Sequence, residues 1–392
     1  MLAGALALVV CQAAQGQAPN PLTNWQLVAS SPQSPLRGIA HLNGRFVAAG
    51  ISTNILVSTN GSNWFNVSSG LANNGFEGIL AVDAAAGQFV AVGGTTGVIL
   101  SSPDGLQWTR RLSLPGVVEF WAVTHGKGIF VAVGYRNAGP LSAIAATSPD
   151  GIHWETHELP FYTTPRNIAY GNGTFIAAGS PISMRSTNGR DWTTIDSLLA
   201  QGIAFGNGRF IATLVTNAFS SSNGVDWTQF PLPGTGATDQ NYYTVGYANG
   251  TFITGGYSGA NGLLVAIGNG VPVSLPTTFR TGGTNVSMSV IRDVIFVDGR
   301  YYLADQYGKV WRSGISAPMT RPRITRVART GTQTSLTIST LAGFRYAIES
   351  TDRLDTPSWQ PSVPAVFSPD DEIIVTAPDS SESIRFYRAR AQ

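Results

Sequence analysis

The stretch that decides the fold is Gly38-Ile-Ala-His-Leu-Asn-Gly-Arg-Phe-Val-Ala-Ala-Gly50, followed by Ile55-Leu-Val-Ser-Thr-Asn-Gly-Ser-Asn-Trp64. Two short apolar runs are joined by Asn43-Gly44, a pair that suits a type I′ hairpin because both central residues take positive φ. A third run then enters a turn of the form Ser-x-Asn/Asp-Gly-x-x-Trp. The same pattern recurs as Gly78 to Trp108, Ala122 to Trp154, Asn167 to Trp192 and Gly202 to Trp227. The tryptophans Trp25, Trp64, Trp108, Trp154, Trp192 and Trp227 stand 39, 44, 46, 38 and 35 residues apart. A period near ~40 with four short strands per unit is that of a propeller blade.

Two further units are diverged. Tyr243 to Ile267 keeps three strands but lacks the tryptophan, and Arg292 to Ser313 supplies three strands and stops. Asn24-Trp25-Gln26-Leu27-Val28 reads as a fourth strand with no first three before it. Seven blades close if this amino-terminal strand completes the last one, which leaves no open sheet edge. In each turn the serine hydroxyl and the Asn or Asp side chain can bond the local backbone while glycine supplies the left-handed residue. The tryptophan is expected to begin the outer strand and to pack between blades as a structural fastener.

These turns resemble those of the Asp-box (BNR-type) propellers, a family that includes sialidases, polysaccharide-degrading enzymes and many modules without catalysis. The resemblance covers about residues 24–315, with a turn one residue shorter than the sialidase form. It implies a propeller; the turn residues lie away from the ligand face and imply no activity. The arginine motif near the sialidase amino terminus is absent.

Composition narrows the function. Charged residues are 12% of 392, hydrophobic residues 43%, and the formal net charge is +2. That excludes a disordered chain. With only Lys127 and Lys309 as lysines, it gives no basic field for nucleic acid. Residues 1–18 read as an export signal, with an apolar run Leu2 to Val10 that is too short to span a membrane. The expected location is secreted or periplasmic. Cys11 is the sole cysteine, so residues 19–392 offer no disulfide, zinc-thiolate site or cysteine nucleophile. No cofactor or metal site is expected. The four histidines form no His-Glu-x-x-His motif.

The expected fold class is all-β: a seven-bladed β-propeller over 19–316, then a small β-sandwich of immunoglobulin or fibronectin type over 317–392. In the latter, Tyr346-Ala-Ile-Glu-Ser-Thr351, Leu354, Trp359 and Arg385 to Arg390 resemble a module at the ends of secreted verrucomicrobial proteins.

Propeller ligands sit at the mouth formed by connections opposite the Ser-x-Asn/Asp-Gly turns. The longest such segments are Tyr135 to Ser142, Pro160 to Thr164, Pro231 to Asn241, Tyr257 to Gly262 and Leu275 to Ser289. Aligned units place Arg37, Trp121, Arg166, Gln201, Tyr243 and Arg292 at the start of the inner strand, with Glu77 assigned to the second unit, which is read as carrying a two-residue insertion. Three converging arginines could take a carboxylate or sulfate in their guanidinium forks. Alternatively they line a water-filled channel and pair with Glu77 or Asp293. The expected function is recognition of a glycan or surface protein by a monomer, without catalysis. The alternative is a sialidase-like glycoside hydrolase or lyase at the same mouth, for which Glu77, Glu119 and Asp239 are the candidate carboxylates.

Overall fold

The structure is a computed structural model. It describes residues 21–31, 35–72, 78–114, 118–137, 139–233, 240–248, 250–259, 261–268, 272–281 and 284–314, and the strands 323–330, 333–339, 344–351, 360–368, 372–377 and 386–391. The proposed export signal lies outside these residues.

Hairpins build the blades in chain order. In blade 1 the inner strand Leu36–Leu42 turns at Asn43 and Gly44 (φ 49° and 76°) into Arg45–Gly50, then Asn54–Ser58 and the outer strand Phe65–Ser68. Blades 2 to 6 repeat this order, with inner strands Ile79–Ala85, Val118–Gly126, Thr164–Gly171, Gly202–Gly206 and Asn241–Ala248. In blade 7, Ile291–Val297, Arg300–Asp305 and Lys309–Ser313 are completed by Trp25–Ser30, which pairs antiparallel with the third strand, Trp25 opposite Ser313. The chain is therefore all-β, a seven-bladed propeller shut by its amino-terminal strand.

The second strands carry the core. Val47, Ala48 and Ala49, Val90 to Val92, Val131 to Val133 and Ile176 to Ala178 are fully buried. Small and β-branched side chains are required there because each blade is covered by a neighbour on both faces. The hydrophobic clusters accordingly run across blade boundaries. One unites Val47 and Ile55 of blade 1 with Ile79 and Leu100 of blade 2.

The turns act as inferred. Ser186 Oγ accepts from Gly189 N at 2.8 Å, and Asn188 Oδ1 accepts from Arg190 N and Asp191 N, both at 2.9 Å. Gly189 has φ +75°, and a Cβ there would lie 2.7 Å from Val131 of the preceding blade. Gly105 and Gly224 meet Val47 and Ile176 in the same way. The turn glycines thus serve both the local backbone and the contact between blades. The tryptophans bury less than expected: Trp192 is buried, whereas Trp64, Trp108, Trp154 and Trp227 are half-buried. Trp108, Trp154 and Trp192 donate Nε1–H to the carbonyl of their turn glycine at 3.1, 3.2 and 2.9 Å.

Blade 6 departs from the rest. Its outer strand is only Val273–Ser274, and the following segment, expected as a mouth loop, contains the hairpin Thr278–Thr281 with Thr284–Ser287. Phe279 meets Trp311 of blade 7 at 6.0 Å between ring centroids, in the cluster between blades 6 and 7 that also holds Trp25. Beyond the propeller, two three-stranded sheets follow: Arg323–Thr330, Gln333–Ser339 and Glu372–Ala377, then Gln360–Ser368, Phe344–Thr351 and Phe386–Ala391. Leu336, Ile338, Ile348 and Val375 are buried in them.

Candidate functional site

One backbone device repeats at the start of the inner strands. In blade 1 the register slips between Leu36 and Gly38, leaving Arg37 as the extra residue. The same slip isolates Leu80, Trp121, Arg166, Tyr243 and Arg292. In blade 5 the strand begins one residue later, and Gln201 fills the position with its N–H bonded to Thr213 O at 2.8 Å. A bulge re-aims the side chain it carries. Here six bulges and Gln201 set seven side chains around a cavity of about 530 Å³.

The structure thus gathers Arg37, Trp121, Arg166, Gln201, Tyr243 and Arg292 in the wall of one cavity. Glu77 lies outside the described residues, and the second blade's position in the ring belongs to Leu80, a correction to the sequence alignment. Each ring residue stands seven positions before the glycine of its first hairpin: Arg37 before Gly44, Leu80 before Gly87, Trp121 before Gly128 and so on to Arg292 before Gly299. In blade 2 that hairpin is Ala86-Gly87, with Ala86 at φ 48°, so the Asn-Gly mark is missing.

The ring is electrostatically one-sided. The Arg166 guanidinium lies 4.6 Å from the Trp121 ring centroid, and that of Arg292 lies 4.4 Å from Tyr243, which itself stacks on Tyr257 at 5.5 Å. Arg292 also donates to Gln306 Oε1. Among the described residues no carboxylate forms an ion pair with Arg37, Arg166 or Arg292. Burial, followed by the charge of Arg37, pushes the Arg292 pKa down to about 10. Burial likewise lowers that of Arg37, with Arg166 adding to the effect. The guanidinium groups gathered on one cavity repel one another, and a bound anion would relieve that repulsion.

Two acids, Asp83 and Asp293, line the cavity but are already engaged. Asp83 accepts from Ala84 N at 2.7 Å and, across the blade boundary, from His125 N at 2.8 Å. Asp293 accepts from Val294 N at 2.8 Å and from Ile39 N of blade 1 at 2.9 Å. Burial raises both, Asp293 to about 7. Sequence reasoning weighed Asp293 only as a partner for arginine; the structure makes it an inter-blade clip, and its register, one residue past the bulge, was the available signal. Glu119 is held by Trp121 Nε1 at 3.1 Å and by Tyr135 Oη at 2.9 Å. Asp239 lies outside the described residues. Among the described residues no three His, Cys, Asp or Glu side chains come together as metal ligands would.

No family model matches the chain, and no curated protein matches it. Solved structures do. A catalytically inactive virginiamycin B lyase from Staphylococcus aureus with quinupristin superposes with a TM-score of 0.59 at 15% identity, over 74% of this chain and 98% of that one. YCF48 bound to D1 peptide gives 0.54 at 13% identity, over 76% and 98%. The WD40 β-propeller domain of Doa1 gives 0.54 at 10%, over 74% and 97%. At these identities the likeness is one of fold alone, and what it establishes is that the chain is a seven-bladed β-propeller around a central channel.

Proposed function

We propose that this propeller is an exported recognition module that seats an anionic group, a carboxylate or sulfate on a glycan or surface protein, in the arginine ring at its channel mouth. The observation that carries this reading is the convergence of Arg37, Arg166 and Arg292 on one cavity without a paired carboxylate among the described residues. Guanidinium forks match such anions in two-pronged hydrogen bonds, and partial desolvation strengthens the attraction.

The hydrolase reading finds less support. Acid and base or nucleophile roles need two carboxylates free to face a substrate. The acids of the cavity wall, Asp83 and Asp293, instead accept backbone N–H groups that tie one blade to the next. The sugar-platform variant of the recognition reading is also weakened, because one face of Trp121 is covered by Arg166 and Tyr243 is packed by Arg292 and Tyr257.

The test is binding of residues 19–392 to sulfated and uronate-containing polysaccharides and to acidic peptides, beside an Arg37→Ala, Arg166→Ala, Arg292→Ala triple variant. Expected is salt-sensitive binding that weakens by at least about 100-fold in the folded variant, as loss of several charge-assisted bonds implies. Binding that ignores both salt and the three substitutions would refute the site.

A further inference from the structure

The large apolar side chains left in solvent are unevenly placed. In blades of this connectivity, links from outer to inner strand and from second to third strand share the mouth face. Of the nine exposed large hydrophobics among the described residues, Ile51, Tyr162, Leu199, Val215 and Tyr307 sit on those links. Val225 is on the opposite face, Phe65 and Val273 on outer strands, and Ile374 in the carboxy-terminal sheets.

On the mouth face the five fall in two groups. Tyr307 and Ile51 belong to blades 7 and 1, the blades that carry Arg292 and Arg37. Tyr162 and Leu199 lie on the links that lead into blades 4 and 5 and Val215 within blade 5, the blades that carry Arg166 and Gln201. In a ring of seven blades these sectors lie across the channel from each other. A line drawn over the mouth therefore meets apolar surface, then three arginines with no ion-paired carboxylate among the described residues, then apolar surface again.

We infer that the partner is a polypeptide segment laid across the mouth, an acidic side chain seated among Arg37, Arg166 and Arg292 and apolar side chains on both sides of it resting on the two rim groups. The inference rests on the anion reading above and adds the class of ligand. A single acid in water gains little from a surface cation, and apolar contacts that exclude solvent around it make the charge pairing count. Exposed aliphatic side chains such as Ile51, Leu199 and Val215 around a charged centre favour protein docking over sugar docking, since sugars stack on aromatic faces, and within the ring those of Trp121 and Tyr243 already pack against arginines.

Three probes separate the possibilities: a synthetic peptide with two central glutamates flanked by leucines, the same peptide with serines for leucines, and polygalacturonate. Each is titrated against the wild-type chain, the triple arginine variant, and two rim variants, Leu199→Ser with Val215→Ser and Ile51→Ser with Tyr307→Ser. All four rim positions are solvent-exposed, so these variants retain the fold, which circular dichroism verifies. Expected is that the leucine-flanked peptide binds about tenfold more tightly than the serine version, and that either rim variant removes most of that advantage. Equal binding of both peptides, unaffected by the rim yet lost with the arginines, overturns the polypeptide inference and leaves the anion site standing. So does tighter binding of polygalacturonate that ignores the rim. Failure of every probe, or binding indifferent to the arginines, overturns the anion reading along with it.

Discussion

The two ends of each blade are built on opposite economies. At one end, blades 1 to 5 repeat the same turn, with the serine, the Asn or Asp and the glycine in the same places, and the glycine pressed against the preceding blade. At the other end the backbone repeats, with a bulge at one register position in six blades and a later strand start in blade 5, but the residue varies: Arg37, Leu80, Trp121, Arg166, Gln201, Tyr243, Arg292. Constant chemistry at a turn signals that the site is occupied by the fold's own demands. Varied chemistry on a constant backbone signals positions the fold leaves free, and there a ligand can be specified at little structural cost.

That contrast can be broken by stability measurements, which should grade from the turn end to the mouth end. Gly189→Val places a branched side chain at φ +75° and into Val131; a loss of about 3 kcal/mol or more in unfolding free energy is expected by urea denaturation. A loss under about 1 kcal/mol would show that the turns are not fasteners.

The next effect belongs to the clips. The Asp293 pKa is raised to about 7 in the fold, against ~3.9 in the unfolded chain. Folding therefore takes up a proton between those values. The contribution of this group is full below about pH 4 and is lost as pH rises through about 7, amounting to a few kcal/mol. Asp293→Asn should flatten the fall in denaturation midpoint between pH 5 and pH 8. An unchanged slope would assign the titration elsewhere, with Asp83, raised by burial as well, the first alternative.

Gly173 has φ +76° but open space around it, so Gly173→Ala should cost only about 1 kcal/mol, for its conformation alone. Smallest of all, Leu80→Arg should change stability by less than about 0.5 kcal/mol while steepening the salt dependence of anion binding. If it unfolds the protein, the ring is not the permissive surface described.

The turn end was legible because its chemistry is local: a serine, an Asn or Asp, a glycine and a tryptophan within seven positions can be matched by eye. The closure of blade 7 was legible too, since Trp25 begins an outer strand without the first three. The ring was less so. Six of its members were found by alignment, but Glu77 was assigned where Leu80 stands because a two-residue insertion was read into the second unit, whereas Leu80 keeps the common spacing to Gly87. The clips Asp83 and Asp293 were missed as such, since their partners, His125 N and Ile39 N, belong to the next blade. The hairpin Thr278–Ser287 was read as loop because two four-residue strands rich in threonine show no periodicity against their surroundings.

The pairing of Trp25–Ser30 with Lys309–Ser313 has a consequence for how the molecule comes into being. Trp25 and Ser313 are 288 positions apart, so the ring has a clasp whose halves are made at opposite ends of the propeller's synthesis. Joining strands so remote in sequence comes with a heavy loop-closure cost and is slow compared with forming any one blade. Until the clasp shuts, the free edge of Lys309–Ser313 stays open to another chain. A messenger or ribosome that stopped short of Lys309 would leave Trp25–Ser30 with no strand to join, so a finished ring certifies that every repeat has been read.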